Sequence, residues 1–247
     1  MGSGPLSLGG GAFLMLYLAV LGVAWLASGW LTGKLRPHGR PGRAASEDEL
    51  AALAGGPVRL AESAVARLLS AGKLVQHKHG RFIAADAAGG NTPVERAILH
   101  IPQPAAWKAI LGAASDQSTT ITRRLEASGL VLGAGQVLQL RLVAIVPLLL
   151  AFAFGAVRVA IGTSGGKPVG FLAVLLVATA GLAIWRFVRT ARLTCEGELL
   201  LERERERCER IRRAPTGDEM GLSVALFGTA VLAGSSIAQF HDMRRRA

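Results

Sequence analysis

The sequence predicts a mostly α membrane protein: three transmembrane helices, with a fourth as the alternative, plus a cytoplasmic α+β domain of two winged-helix-like units. Three observations lead there. Apolar residues make up 51% of the 247, and charged residues only 18%, below the roughly 25% of an ordinary soluble domain. Charged side chains are absent from 1–33, 142–157, 168–185 and 220–240. Between these runs, one pattern of helix, Gly and hairpin occurs twice. Such hydrophobicity excludes full disorder. Cys195 and Cys208, the two cysteines of the chain, exclude a disulfide framework or a Cys-rich metal module.

The first span is expected over Leu6–Leu31, within an anchor covering 1–32. Twenty apolar residues cover about 30 Å of hydrocarbon, so the run is long enough to cross. Trp25 and Trp30 fall near its end, where indoles favour the headgroup layer. A cleaved signal peptide would have its basic cluster before the apolar core. Here Lys34, Arg36, Arg40 and Arg43 follow it, in a Pro/Gly linker over 33–45. The second and third spans, Leu142–Ile161 and Val169–Val188, form a hairpin over 142–188 with its turn at Gly162–Pro168. Arg158 is read as snorkelling to the nearby interface.

Lys and Arg placement sets orientation. Positive charge flanks the linker side of the first span, Arg141 precedes the second, and Arg186, Arg189 and Arg192 close the third, whereas the turn has Lys167 alone. The N-terminus is therefore expected outside a bacterial cytoplasmic (inner) membrane, with the main domain in the cytoplasm. The region 189–219 reads as a polar helix in solvent, with Glu206 and Arg210 as an i,i+4 pair. The run 220–247 is an apolar Gly/Ala-rich segment with a basic end. It is expected to lie on the membrane or pack on other helices, since crossing would place Arg244, Arg245 and Arg246 outside.

The first cytoplasmic unit covers 46–90. Ser46 and Glu49 form a capping box, the short helix Glu47–Ala54 stops at Gly55-Gly56-Pro57, and Pro57 starts the next helix. Leu60, Ala64, Val65 and Leu68 have helical spacing, and Gly72 suits a left-handed C′ position. Lys73–Ala84 then reads as a hairpin. The second unit, 91–141, opens with Thr92, Pro93 and Glu95, another capping box. Helices are expected over Pro93–Ile101, Pro104–Ala113 and, capped by Ser115, to Ser128. Gly129 ends the last, and Leu130–Leu132 with Gln136–Leu140 form a second hairpin. At an offset of 57, Ala64 aligns with Ile121, Arg67 with Arg124, Leu68 with Leu125 and Gly72 with Gly129. The piece 45–140 is expected to fold without the spans.

The stretches Glu49-Leu-Ala-Ala-Leu-Ala-Gly-Gly-Pro57, Ala64-Val-Ala-Arg-Leu-Leu-Ser-Ala-Gly72, Thr92-Pro-Val-Glu-Arg-Ala-Ile98 and Gly221-Leu-Ser-Val-Ala-Leu-Phe-Gly228 resemble an uncharacterised bacterial membrane-protein family. The likeness covers roughly 45–235. It implies an N-terminal span, a Gly-Gly-Pro-containing cytoplasmic domain and a two-span hairpin, and it supplies no catalytic residues. Many members end in a Gly/Cys-rich tail; this sequence reads Arg-Arg-Arg-Ala247 there.

Candidate chemistry is sparse. His77 and His79 share a strand face but have no acidic or Cys neighbour, so a solvated hairpin tip is expected and no metal. Ser118, Thr119, Thr120 and Thr122 lack an adjacent base. Arg123 and Arg124 are candidate interaction residues on a would-be recognition helix. Outside the linker, however, 32–140 holds nine basic residues against eight acidic, which disfavours nucleic acid. The expected function is a non-enzymatic inner-membrane protein without a cofactor. Its partners would be the lipid bilayer and an unknown cytoplasmic protein or membrane partner, with the oligomeric state left open. A membrane-tethered DNA-binding regulator is the alternative.

Overall fold

The computed structural model describes residues 10–42, 46–77, 80–87, 89–164, 170–189 and 192–246. In chain order the helices are α1 (Gly10–Leu35), α2 (Glu47–Ser70), α3 (Pro93–Leu99), α4 (Trp107–Ala127), α5 (Ala134–Ser164), α6 (Gly170–Val188), α7 (Cys195–Arg207), α8 (Glu209–Arg213), α9 (Met220–Phe227) and α10 (Ala238–Arg246). The strands are β1 (Leu74–His77), β2 (Arg81–Ala84) and β3 (Ala105–Ala106). The chain divides into two compact units, Met1–Pro37 with Leu132–Arg192, and His38–Val131 with Leu193–Ala247. Much of the expected hairpin turn, and Arg43 of the linker, lie outside the described residues.

The first unit is three helices. α1, α5 and α6 are each long and apolar enough to cross a membrane, with mean hydropathies of 2.0, 2.4 and 2.1. α5 packs on both α1 and α6. Small residues let the helices approach: Ala24, Leu148, Ala151 and Ala183 form one buried cluster, and Phe13, Tyr17 and Leu172 another. Tyr17 OH and Thr179 Oγ1 share a buried hydrogen bond of 3.0 Å. Outward, Met15, Val23, Leu26, Phe171, Val174 and Val177 stand exposed. A water-soluble surface rarely carries so much contiguous apolar area, whereas lipid tails cover it. The chain is a mostly α membrane protein by these criteria.

The second unit is α+β. α2 breaks at Gly55 and Gly56 (φ 63°), and Pro57 starts its longer half. Antiparallel β1 and β2 pair in the register Leu74↔Ala84 to His77↔Arg81, and β3 adds to β2. Leu74 and Phe82 point into a core with Leu60, Ala64, Leu68, Ile98, Ile110, Val224 and Phe240. A second core gathers Leu50, Leu53, Leu125, Leu130, Leu200, Leu201, Ile211 and Leu226.

Several expectations are corrected. Residues 104–113 and 115–128 are not separate helices. From Trp107 the helix α4 runs unbroken, because Ile110, Ala114, Ser118, Ile121 and Leu125 keep one i,i+4/i+3 stripe facing inward, and Ser115 is interior to it. The second hairpin does not form. Gln136–Leu140 is the first part of α5, continuous with its apolar run, and Gln136 Oε1 accepts the Gly133 N–H at 3.2 Å. Extending a helix adds one bond per residue fixed, while a new hairpin needs a new nucleus. Val131 pairs instead with Leu193 in an isolated antiparallel bridge. Residues 189–219 are not one solvated helix: Leu200, Leu201 and Ile211 are buried. Cys208 separates α7 from α8, so Arg210 meets Glu219 rather than Glu206. Within 220–240 the expected packing on other helices is found, α9 lying against α2, and the fourth-span alternative falls: α9 stops before Gly228 and a 3-10 turn follows at Thr229–Leu232. An eight-residue helix is about 12 Å long, too short to cross. The expected self-contained 45–140 piece lacks Met220, Val224, Ala225, Leu232 and Phe240, which complete its core.

Candidate functional site

The caps read from the sequence anchor the charged interior of the second unit. Ser46 Oγ accepts the Glu49 N–H at 3.2 Å, and Thr92 Oγ1 accepts the Glu95 N–H at 3.3 Å, above Pro93 at the helix start. Glu95 does not reach back to Thr92. Its Oε2 takes the Asn91 N–H at 2.8 Å, and its Oε1 takes Arg67. Gly72 (φ 69°) and Gly129 (φ 78°) close two Schellman motifs of one pattern. Lys73 N–H bonds Leu68 O at 2.9 Å, and Leu130 N–H bonds Leu125 O at 3.0 Å.

Arg67 is the hub. It donates from Nε to Glu95 Oε1 (2.7 Å), from Nη2 to Asp48 Oδ1 (2.5 Å) and from Nη1 to Glu47 Oε2 (3.1 Å). The carboxylates stand in the first turns of α2 and α3, where the helix dipole favours negative charge. Burial works to lower the Arg67 pKa, but Asp48 and then Glu95 outweigh it and hold it above its ordinary value. Close packing fixes the arginine stem: a Cβ on Gly221 would collide with Arg67, and Ser63 Oγ donates to Gly221 O at 2.9 Å. A second ion cluster joins α2 to α10. Arg244 Nε meets Glu62 at 3.0 Å, Arg59 lies at 3.6 Å from the same carboxylate, and the Arg244 guanidinium covers the Trp107 ring at 4.2 Å. Sequence reasoning treated Arg67 and Glu95 as repeat and cap residues, and Arg244 as a topology signal. The signal for their pairing was absent, because the partners are 28 and 182 residues apart.

Arg123 and Arg124 are both exposed on α4, but Lys108, Asp116 and Glu126 share the exposed side, so it carries both signs. Ser118 is buried within α4. His77 is exposed at the end of β1, and His79 lies outside the described residues. Among the described residues no group of three His, Cys, Asp or Glu is arranged to hold a metal. The thiol of Cys208 is buried, and burial followed by Glu204 pushes its pKa up, which makes it less nucleophilic. The outer face of the hairpin is apolar: Val75 and Ile83 stand directly opposite one another and are 53% and 38% exposed. No family model, curated protein or solved structure matches the chain.

Proposed function

We propose that this chain is a non-enzymatic bacterial inner-membrane protein, akin to the membrane-protein family it resembles. On this reading its second unit faces the cytoplasm and binds another protein. The helix–break–helix–hairpin of 46–90 is the winged-helix-like part, and the outer face of that hairpin is the binding surface. The observation that carries the reading is the Val75–Ile83 pair, an apolar cross-strand couple turned to solvent. Supporting it, the three buried carboxylates, Asp48, Glu62 and Glu95, all pair with arginines that fasten the unit's own elements. Each is committed to structure rather than poised toward a substrate.

The experiment places a photo-crosslinking residue at Val75, and in a second chain at Thr119 on α4, in native membranes. The expected result is a discrete protein adduct from Val75 that disappears with Ile83→Glu, and none from Thr119. Orientation is read with Thr119→Cys, which should resist an impermeant maleimide in intact cells; buried Cys208 would stay silent on either side. The tethered-regulator reading has the exposed Arg123 and Arg124 in its favour, and Asp116 and Glu126 beside them against it. Sequence-selective submicromolar DNA binding (roughly 10⁻⁸–10⁻¹¹ M is typical of specific sites) that is lost on Arg123→Ala with Arg124→Ala would put that reading first.

A further inference from the structure

Where α1 and α6 finish and α5 begins, the three-helix unit forms a half-open cavity of about 250 Å³. Arg36 from α1's end, and Arg186 and Arg189 from α6's end, line it, with no carboxylate among its described lining residues. At about 30 Å³ per water, the volume holds roughly eight waters, or a phosphate with the glycerol carbons attached to it. Gly29 and Gly33, one helical turn apart, form part of the wall, and a Cβ on either would meet open space. A larger side chain at either position has room to extend there.

Arg186 is held ready. Its Nε donates to Ser28 Oγ at 3.1 Å and its Nη2 to Thr32 Oγ1 at 2.8 Å. Ser28 gives its own proton to the Ala144 carbonyl at 2.6 Å, and Thr32 gives its proton to the Ser28 carbonyl at 2.9 Å. Both hydroxyls are thereby fixed as acceptors toward the guanidinium. Trp25 lies 5.9 Å from Arg186, and Trp185 lies 5.2 Å from Arg189. These hydroxyls and rings fix the direction of the two guanidinium groups. The unit as a whole contains Lys34, Arg36, Arg141, Arg158, Lys167, Arg186, Arg189 and Arg192, and no Asp or Glu. Arg141, next to the cavity-lining Leu140, has a buried Nε with no hydrogen-bond partner among the described residues. A guanidinium fork matches a phosphate bidentately, and basic pockets between membrane helices take lipid phosphates.

We propose that this cavity binds the phosphate headgroup of an anionic phospholipid, gripped by Arg186 and Arg189 beside Thr32. The proposal rests on the reading that the three helices cross a bilayer. The chemistry selected is a phosphate ester with no cation of its own to balance it, and the surrounding lipid is its source.

To test it, the full chain in neutral detergent is titrated with short-chain phosphatidylglycerol, short-chain phosphatidylcholine or inorganic phosphate, read by tryptophan fluorescence. Phosphatidylglycerol should bind saturably and at least about tenfold tighter than phosphatidylcholine. Arg186→Gln with Arg189→Gln should weaken it by about tenfold or more. Gly33→Leu, which fills the hollow and leaves the charge, should do the same. Lys34→Gln with Arg192→Gln removes equal charge from the same end without lining the cavity and should stay within about twofold. That pair costing as much as Arg186→Gln with Arg189→Gln would reduce the effect to diffuse charge and overturn the site. Competition by inorganic phosphate at equal concentration would overturn the lipid assignment in favour of a soluble phosphate. Flotation with pure phosphatidylcholine vesicles separates the two failures: a chain that floats but lacks the phosphatidylglycerol preference loses the site alone, and one that does not float loses the membrane reading.

Discussion

The two units of this chain handle charge in opposite ways. The membrane unit has eight basic residues and no acidic one, whereas the second unit holds all 17 Asp and Glu of the sequence. In the second unit, buried anions are neutralised by half-buried cations: Arg67 takes Asp48 and Glu95, and Arg244 takes Glu62. In the first, the contacts Tyr17–Thr179 and Arg186–Ser28 join two neutral groups and an arginine to a hydroxyl, respectively. The same split appears in apolar surface. The large hydrophobics exposed on the second unit are Val58, Val75, Ile83 and Leu199, while all three spans expose many. A folded unit in water stabilises itself by burying apolar area. Helices in lipid gain little from that and associate through small residues and hydrogen bonds.

The largest effect should come from breaking the second unit's continuity. Removing 220–246 takes α9 and α10 out of its main core, so the unit should lose its cooperative unfolding transition. That is read by the fluorescence of Trp107, the one Trp of the second unit. Removing 132–192 instead, with a short Gly-rich link, should preserve the transition, because Val131 and Leu193 already pair as neighbours. Loss of folding in both deletions would erase the distinction between the units.

Next comes Arg67→Ala. It leaves Asp48 and Glu95 buried without a counter-charge, and the second unit should lose about 3–5 kcal/mol in denaturant unfolding. Gly221→Ala pushes a methyl group into the Arg67 stem and should cost about 1–3 kcal/mol, the usual range for overpacking. The matching change in the membrane unit is Tyr17→Phe, which deletes a single hydrogen bond to Thr179. There the expected loss is about 0.6 kcal/mol, measured by reversible unfolding in mixed micelles. A Tyr17→Phe loss as large as that of Arg67→Ala would show that the two units are fastened alike.

The smallest effect concerns pH. Glu219 caps the turn before α9, and its carboxyl is lowered from 4.5 to about 2 by the Thr216 backbone N–H first, then by Arg210 and the Thr216 hydroxyl. A depressed carboxyl pKa stabilises the turn above the ordinary carboxylate value and loses that contribution as pH falls through about 2. An NMR titration of the Glu219 carboxyl should find this midpoint, and Arg210→Gln should raise it only partway, since the Thr216 bonds remain.

Local pattern carried much of the fold. Ser46, Gly55-Gly56-Pro57, Gly72, Thr92 and Gly129 act through neighbours within a few residues, so their caps and breaks were legible. So were β1 and β2, whose apolar residues alternate around a short tip. The spans were legible because length and hydropathy are one-dimensional quantities. The repeat at an offset of 57 was real at its Schellman caps and failed just beyond them. Leu74 continues into a hairpin, while Val131 finds its partner 62 residues later, at Leu193. The opposite fates of Arg67, half-buried among three carboxylates, and its repeat mate Arg124, exposed on α4, were likewise invisible.

What the sequence by itself determined was what depends on composition and near neighbours: three apolar helices, the capped helices of 46–99, and the absence of acid from the membrane unit. Only the tertiary structure decided that 193–246 completes the second unit, that α9 lies against α2, that Arg67 and Arg244 meet their carboxylates, and that Arg36, Arg186 and Arg189 surround one hollow. The physical reason is chain distance. Helix propensity, capping and hydropathy act over a turn or two, whereas a core, an ion cluster or a cavity is made by residues that only folding brings together.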